Sequence, residues 1–413
     1  MRMLNEYNLK EKGLFLSAFL MLSVLVIHDQ LISPFILVFF LTTIPFWKGP
    51  KNLRSKKVLF PLLLLFLLYA SSLLFVTRLD VAVLSLTTKL SFFIFPLTGI
   101  LMSTRFKIAI RGMKWGMIAA SLFSMLFSLF RAIITEGSIS GEAFHSNVYG
   151  LNMHPSYLAL IFIVACAFLW TEKRNDGIMK LFKWGYLGVV IVSLFYLRSL
   201  GAFVCVAVIF GGIPIWKALQ SKNWKWLLTI PIYAILFYIG LQSSPRISND
   251  VNASLSKVSE WSESPSEFID SNVNNIESNT VRLVVWTLSF DLIKNNAMGV
   301  GLGDEDNYLC REYYREGYLG YAERHLNPHN QFLQTGISIG WIGLIVLIIV
   351  FISLIYCAYK TNSLALFIAA LCISVSCLFE SMLERQVGVI FLSIILLIVA
   401  LSHPSFSKTD NSQ

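Results

Sequence analysis

The chain has 413 residues, of which 56% are hydrophobic and 14% charged, and its formal net charge is +9. So apolar a composition excludes an ordinary soluble enzyme and places the chain among polytopic membrane proteins. The basic excess does not signal nucleic acid, because most lysines and arginines gather in short loops between apolar runs, where they set topology.

A helix needs about 20 apolar residues to cross a bilayer core. In chain order the apolar runs predict about twelve spans, at 13–28, 30–47, 58–76, 82–102, 115–134, 154–170, 184–200, 202–216, 224–241, 331–358, 363–380 and 386–402. The first run, from Gly13, reads as a span of the bundle and not as a cleavable signal. The expected fold class is all-α, a polytopic transmembrane helical bundle in three parts. These are an N-terminal bundle of about nine spans over 1–241, a large loop over 242–330, and about three C-terminal spans with a short tail over 331–413.

Orientation follows from the loop charges. With the N-terminus in the cytoplasm, inside segments carry groups such as Lys48, Lys51, Arg54, Lys56 and Lys57, then Arg105, Lys107, Arg111 and Lys114, then Lys173, Arg174, Lys180 and Lys183. The short outside segments carry only Arg78, Arg131, Arg198 and Arg385. The asymmetry puts both termini inside and the 242–330 loop outside.

The first part of that loop, Gln242 to Asn279, is rich in Ser, Asn and acidic residues and is expected to be mobile. From Thr280 the pattern turns amphipathic, through Arg282, Leu283, Val284, Val285, Trp286, Leu288, Leu292 and Ile293. One or two helices near the membrane surface are expected there, with Asn279 or Thr280 as a cap. The glycine run Gly299-Val-Gly301-Leu-Gly303 follows a helix and not a strand, so it is no dinucleotide fingerprint. It reads as a tight backbone turn that folds the loop back over a site.

Ionisable residues kept at the mouth of a membrane bundle mark where chemistry is done. His329 leads the candidates. It follows Pro328 and stands just before a helix expected from Gln331. A helix N-terminus carries roughly half a positive charge, which favours a neutral imidazole able to act as a general base. Packing or helix capping is the competing role. Arg198 and Arg282 come next, since a guanidinium fork matches phosphate oxygens and two forks suggest a diphosphate. Lys89, roughly 10 Å into its span, either reaches the same site or pairs with a buried carboxylate. Glu380, Glu384 and Arg385 form either an ion network or a pocket rim. Asn330 is a further possible site residue, and His325 reads as a surface residue or a second polar group.

Asp304-Glu305-Asp306 contains an Asp-x-Asp, but an acidic surface turn is the better reading, and no metal ligand is assigned. Cys310 stands alone in the loop and the other five cysteines lie in apolar runs, so neither a disulfide framework nor a metal-type spacing is expected. The tyrosines at 308, 313, 314, 318 and 321 suit stacking on sugars or a lipid interface.

Several of these stretches together resemble the O-antigen ligase/polymerase family of bacterial membrane glycosyltransferases. They are Arg282-Leu-Val-Val-Trp286, Asn295 to Gly303, Asn327-Pro-His329-Asn-Gln-Phe-Leu-Gln-Thr-Gly336, the ten-residue gap from His329 to Gly340, Arg198-Ser199, and Glu380 to Gly388. The resemblance implies an all-helical, C-type glycosyltransferase-like bundle in the cytoplasmic membrane, with its site facing the periplasm. It implies metal-independent transfer, without a cofactor, of a polyprenyl-diphosphate-linked glycan to a hydroxyl. The acceptor is a lipid A core for a ligase or another lipid-linked chain for a polymerase. Membrane lipids are the remaining partners. Carried over, His329 deprotonates the acceptor, and Arg198 and Arg282 hold the leaving diphosphate. The ligase pattern Arg-x3-Leu is not met, since position 286 is Trp. The rival functions are a lipid-linked oligosaccharide flippase or transporter, which calls for mid-membrane polar groups and repeat symmetry, and a non-catalytic partner in envelope assembly.

Overall fold

In the computed structural model the described residues are 7–47, 57–102, 104–136, 153–197, 199–242, 245–273, 275 and 278–402. Among them there is no β-strand, only an isolated bridge between Trp47 and Met102. The helices in chain order are α1 (Leu9–Ile27), α2 (Ile32–Thr43), α3 (Phe60–Ser72), α4 (Leu79–Lys89), α5 (Ser91–Leu101), α6 (Phe106–Glu136), α7 (Pro155–Trp170), α8 (Gly177–Leu197), α9 (Leu200–Ser221) and α10 (Ile230–Gln242). The loop region holds α11 (Pro245–Glu263), α12 (Pro265–Ser271), α13 (Ser278–Asn295), α14 (Glu305–Arg315) and α15 (Leu319–Glu323). The chain closes with α16 (Gln331–Lys360), α17 (Leu364–Phe379) and α18 (Gln386–Ser402).

Every apolar run expected to span is helical. Among the described residues, five helices are long and apolar enough to cross a membrane: Leu79–Leu101, Phe106–Arg131, Gly177–Leu197, Gly201–Ser221 and Gln331–Lys360. The others are shorter apolar helices, apart from α1, whose start carries a capping box between Asn8 and Glu11. α1 packs along α6 through a glycine pair spaced as in close membrane-helix contacts. A Cβ on Gly112 would sit 2.5 Å from Phe15 O and one on Gly116 2.2 Å from Phe19 O, so only glycine lets the backbones approach this far. α18 is buried continuously from Val387 to Leu401 and forms the middle of the bundle, as expected of a helix apolar on all sides.

Beside the bundle lies a second, smaller core built by the loop. Leu283, Val284, Val285, Leu288 and Leu292 of α13 pack there with Phe268, Leu309, Tyr313, Tyr318, Tyr321 and Ile337. Within Gln242 to Asn279, expected from its composition to be mobile, the described residues include the helices α11 and α12. Phe268 is buried in the loop core and the indole N–H of Trp261 donates to Thr287 Oγ1 at 3.0 Å. Two aromatic side chains therefore tie α11 and α12 to the loop core. α13 begins at Ser278, so Asn279 and Thr280 lie within its first turn and not at its cap.

α16 is broken at Ile339 and Gly340, the latter at φ 68° and ψ −165°. The break frees backbone carbonyls, and the glycine run supplies their donors. Val300 N donates to Ile337 O at 2.8 Å and Gly301 N to Ser338 O at 2.9 Å, while Trp341 N donates to Ala297 O at 3.1 Å. The run thus docks onto the kink of α16. This contact holds the loop core against the bundle.

Candidate functional site

Four separate elements bring ionisable side chains to one place: the turn before α16, α13, the segment between α17 and α18, and the start of α7. His329 occupies the turn before α16 in a left-handed conformation (φ 45°), which non-glycine residues take only when their surroundings enforce it. Here Asn327 Oδ1 accepts from His329 N at 2.9 Å, and the indole N–H of Trp286 donates to Pro328 O at 2.8 Å. Asn330 is the cap of α16, its side-chain oxygen accepting from the N–H groups of Phe332 and Leu333.

Glu380, at the end of α17, joins two of the expected site residues. Its Oε2 lies 3.2 Å from His329 Nδ1 and its Oε1 lies 3.8 Å from Arg282 Nη2. Burial pushes the Glu380 carboxyl up, but the His329 hydrogen bond and the charges of His329, His154 and Arg282 outweigh it and hold the group below its ordinary value. An imidazole engaged at Nδ1 by a carboxylate has a fixed ring orientation and leaves Nε2 to accept a proton.

His154, which sequence reasoning missed, borders the same group. It caps α7, its Nδ1 3.4 Å from Ser156 N. Desolvation lowers its imidazole below the ordinary value against the pull of Glu380, and the charges of Arg385, His329 and Arg282 add to the lowering. The available signal was a His-Pro at the start of an apolar run, the mirror of Pro328-His329 at the start of another. Arg385 therefore acts on this cluster through its charge. Arg198 lies outside the described residues. Its neighbour Ser199 sits 3.3 Å from Ser156, oxygen to oxygen.

Lys89 pairs with a carboxylate, as one of its two expected readings had it. It is 1% exposed and donates to both oxygens of Glu384 and to Leu383 O, each at 3.1 Å. The Tyr69 ring lies under it, 4.7 Å from Nζ. Gln331 completes the network. Its Nε2 donates to Glu384 Oε1 at 3.2 Å and its Oε1 accepts from Leu383 N at 2.6 Å. Lys89 and Gln331 thus bind the 380–385 segment to the start of α16 and so position Glu380 against His329.

Two other expectations are corrected. Asp304 and Glu305 are no surface turn: Asp304 is 1% exposed and accepts from Thr77 N at 2.6 Å and Thr77 Oγ1 at 2.9 Å, while Glu305 accepts from Ser338 Oγ and Gly303 N. Tyr313, Tyr318 and Tyr321 face neither sugar nor lipid, because their hydroxyls donate to the carbonyls of Leu326, Ile269 and Asn275 inside the loop core. His325 is largely exposed, as a surface residue should be, and its partners are Asp306 and Cys310.

Residues 148–348 match the O-antigen ligase family. Over that segment the chain belongs to the O-antigen ligase family. No curated protein matched the chain. The matched segment carries His154, Arg282 and His329, together with the Gly340 break, whereas Glu380 and the Lys89–Glu384 pair complete the site from outside it. The match of this segment to the O-antigen ligase family, with the apolar helices, points to an integral membrane protein and implies a glycosyltransferase-like enzyme of the ligase/polymerase type that uses lipid-linked glycans.

Proposed function

We propose that the protein transfers a glycan from a polyprenyl diphosphate, in bacteria undecaprenyl diphosphate, to an acceptor hydroxyl at the periplasmic face of the cytoplasmic membrane. The bundle is then a C-type glycosyltransferase-like fold of about twelve spans, with both termini in the cytoplasm and 242–330 as its periplasmic loop. The observation that carries this reading is the Glu380 bridge, which holds an imidazole and a guanidinium on one carboxylate.

In this mechanism His329 Nε2 takes the proton of the acceptor hydroxyl as its oxygen attacks the anomeric carbon. The bond from that carbon to the diphosphate oxygen breaks, and the leaving group departs as polyprenyl diphosphate. Arg282 and Arg198 neutralise the charge that develops on it, the largest contribution expected in such chemistry. Guanidinium charge takes the part a metal would play, so transfer is metal-independent. Glu380 is a positioning residue that holds the His329 ring, and Arg282 leaves it for the diphosphate when the donor binds.

The test uses purified protein in reconstituted membranes, given a lipid-linked glycan with and without a lipid A core acceptor. His329→Ala is expected to lose transfer by about 100- to 10,000-fold, the usual contribution of a general base. Arg282→Lys is expected to fall as well, because an ammonium cannot reproduce the fork. Wild-type rates in both variants, at normal expression, would sink the mechanism. Product formed only with the core identifies a ligase, and longer chains formed without it identify a polymerase.

A further inference from the structure

A second cluster lies in the loop, and none of its members belongs to the His329 group. Asp306 and Cys310 stand four residues apart on α14, about one helical turn, and His325 follows α15. Nδ1 of His325 is 2.9 Å from Asp306 Oδ2 and 3.5 Å from Cys310 Sγ, and Cys310 Sγ is 3.8 Å from Asp306 Oδ1. His325 takes a left-handed backbone conformation, φ 50°, to bring its ring there. A carboxylate and a thiol both face this ring nitrogen, and the thiol also lies 3.6 Å from Ala322 O.

The three ligand atoms also lie close enough together to share a single ion. Tetrahedral zinc has bonds of about 2.3 Å to sulfur, about 2.0–2.1 Å to nitrogen and about 2.0–2.2 Å to oxygen, which set ligand atoms about 3.3–3.6 Å apart. The three separations in this cluster bracket that window. A mixed sulfur, nitrogen and oxygen set suits zinc and its neighbours over magnesium or calcium, which take oxygen donors.

We propose that Asp306, Cys310 and His325 form a binding site for a divalent transition-metal ion, zinc in the first place, with water as the fourth ligand. On binding, the Cys310 S–H bond breaks, its proton goes to solvent and a thiolate–metal bond forms. His325 gives its Nδ1 lone pair and keeps its proton on Nε2, and Asp306 gives a carboxylate oxygen. No electron changes hands. Because the thiol proton is released, binding tightens as pH rises. The ion ties α14 to the chain four residues before His329, and so steadies the approach to α16.

The test is cobalt titration of the purified full-length protein, free of any polyhistidine tag. The expected result is a thiolate-to-cobalt charge-transfer band that saturates at one ion per chain and is displaced by zinc. Cys310→Ser removes the band, and His325→Ala and Asp306→Asn weaken binding by more than the roughly 10- to 100-fold that loss of an outer partner costs. Zinc raises the Tm of the wild type and leaves that of Cys310→Ser unmoved, which guards against a misfolded variant. Absence of the band in the wild type, or its survival undiminished in both His325→Ala and Asp306→Asn, overturns the proposal. Neither result bears on transfer at His329.

Discussion

Glu380 Oε2 lies 3.2 Å from His329 Nδ1, although 51 residues separate the two in the chain. The pair makes the imidazole directional, and most of what can be tested at this site depends on it.

Glu380→Gln keeps the size of the side chain and removes the charge. Transfer is expected to fall by about 10- to 100-fold, as for loss of an orienting partner. The folded carboxyl is held below its ordinary value. A depressed carboxyl adds stability that is present above its unfolded value of about 4.3 and is lost as pH falls through the folded value. Thermal unfolding should therefore show wild type above Glu380→Gln at neutral pH, with the gap closing on acidification below about pH 4. A gap independent of pH would assign the effect to packing.

Trp286→Phe tests the turn itself. It deletes the indole donor to Pro328 O, a loss of about 1 kcal/mol for a hydrogen bond of this kind. With that tether gone, the His329 turn relaxes, so kcat should drop while KM changes little.

Gly340→Ala tests the break in α16. A Cβ there would sit 2.2 Å from Ala297 O, at a backbone conformation of φ 68° and ψ −165°. Such conformations cost roughly 1–3 kcal/mol for a side-chain-bearing residue before the clash is counted. Denaturation should show a loss of at least that size, and preserved stability would mean the break relaxes into regular helix.

Glu305 carries the opposite sign of pH dependence from Glu380. Burial, with the Glu384 charge behind it and the Ser338 hydroxyl against it, raises its carboxyl to about 7. A raised carboxyl makes the folded state bind the proton more tightly, so stability falls as pH climbs from the ordinary value toward about 7 and levels off beyond. The slope approaches about 1.4 kcal/mol per pH unit at most. Glu305→Gln should flatten this part of the stability profile, measured by unfolding between weakly acidic and weakly basic buffers.

Lys89→Met removes the buried partner of Glu384. Breaking one side of a buried pair costs about 3–5 kcal/mol, and the low end applies because Glu384 is 24% exposed. Adding Glu384→Gln should restore part of the loss. A double-mutant cycle with no coupling would show that Leu383 O and the Tyr69 ring hold the lysine without Glu384.

The amino-acid sequence by itself determined where the apolar helices run, because length and apolar run are local properties. Each apolar run is helical, and the stretch from Arg282 through His329 to Gly340 was legible as a likeness to the O-antigen ligase family. Tertiary structure alone decided the partners. Nothing in the spacing could bring Glu380 onto His329, His154 to the same cluster, or Lys89 across 295 residues to Glu384. Those contacts arise only when helices pack side by side. The helices of the polar stretch before α13 were illegible for the same reason: Trp261 and Phe268 meet a core that other segments build. Tyrosines that look fit for a surface likewise become core residues once a carbonyl of the same loop is there to accept their hydroxyls.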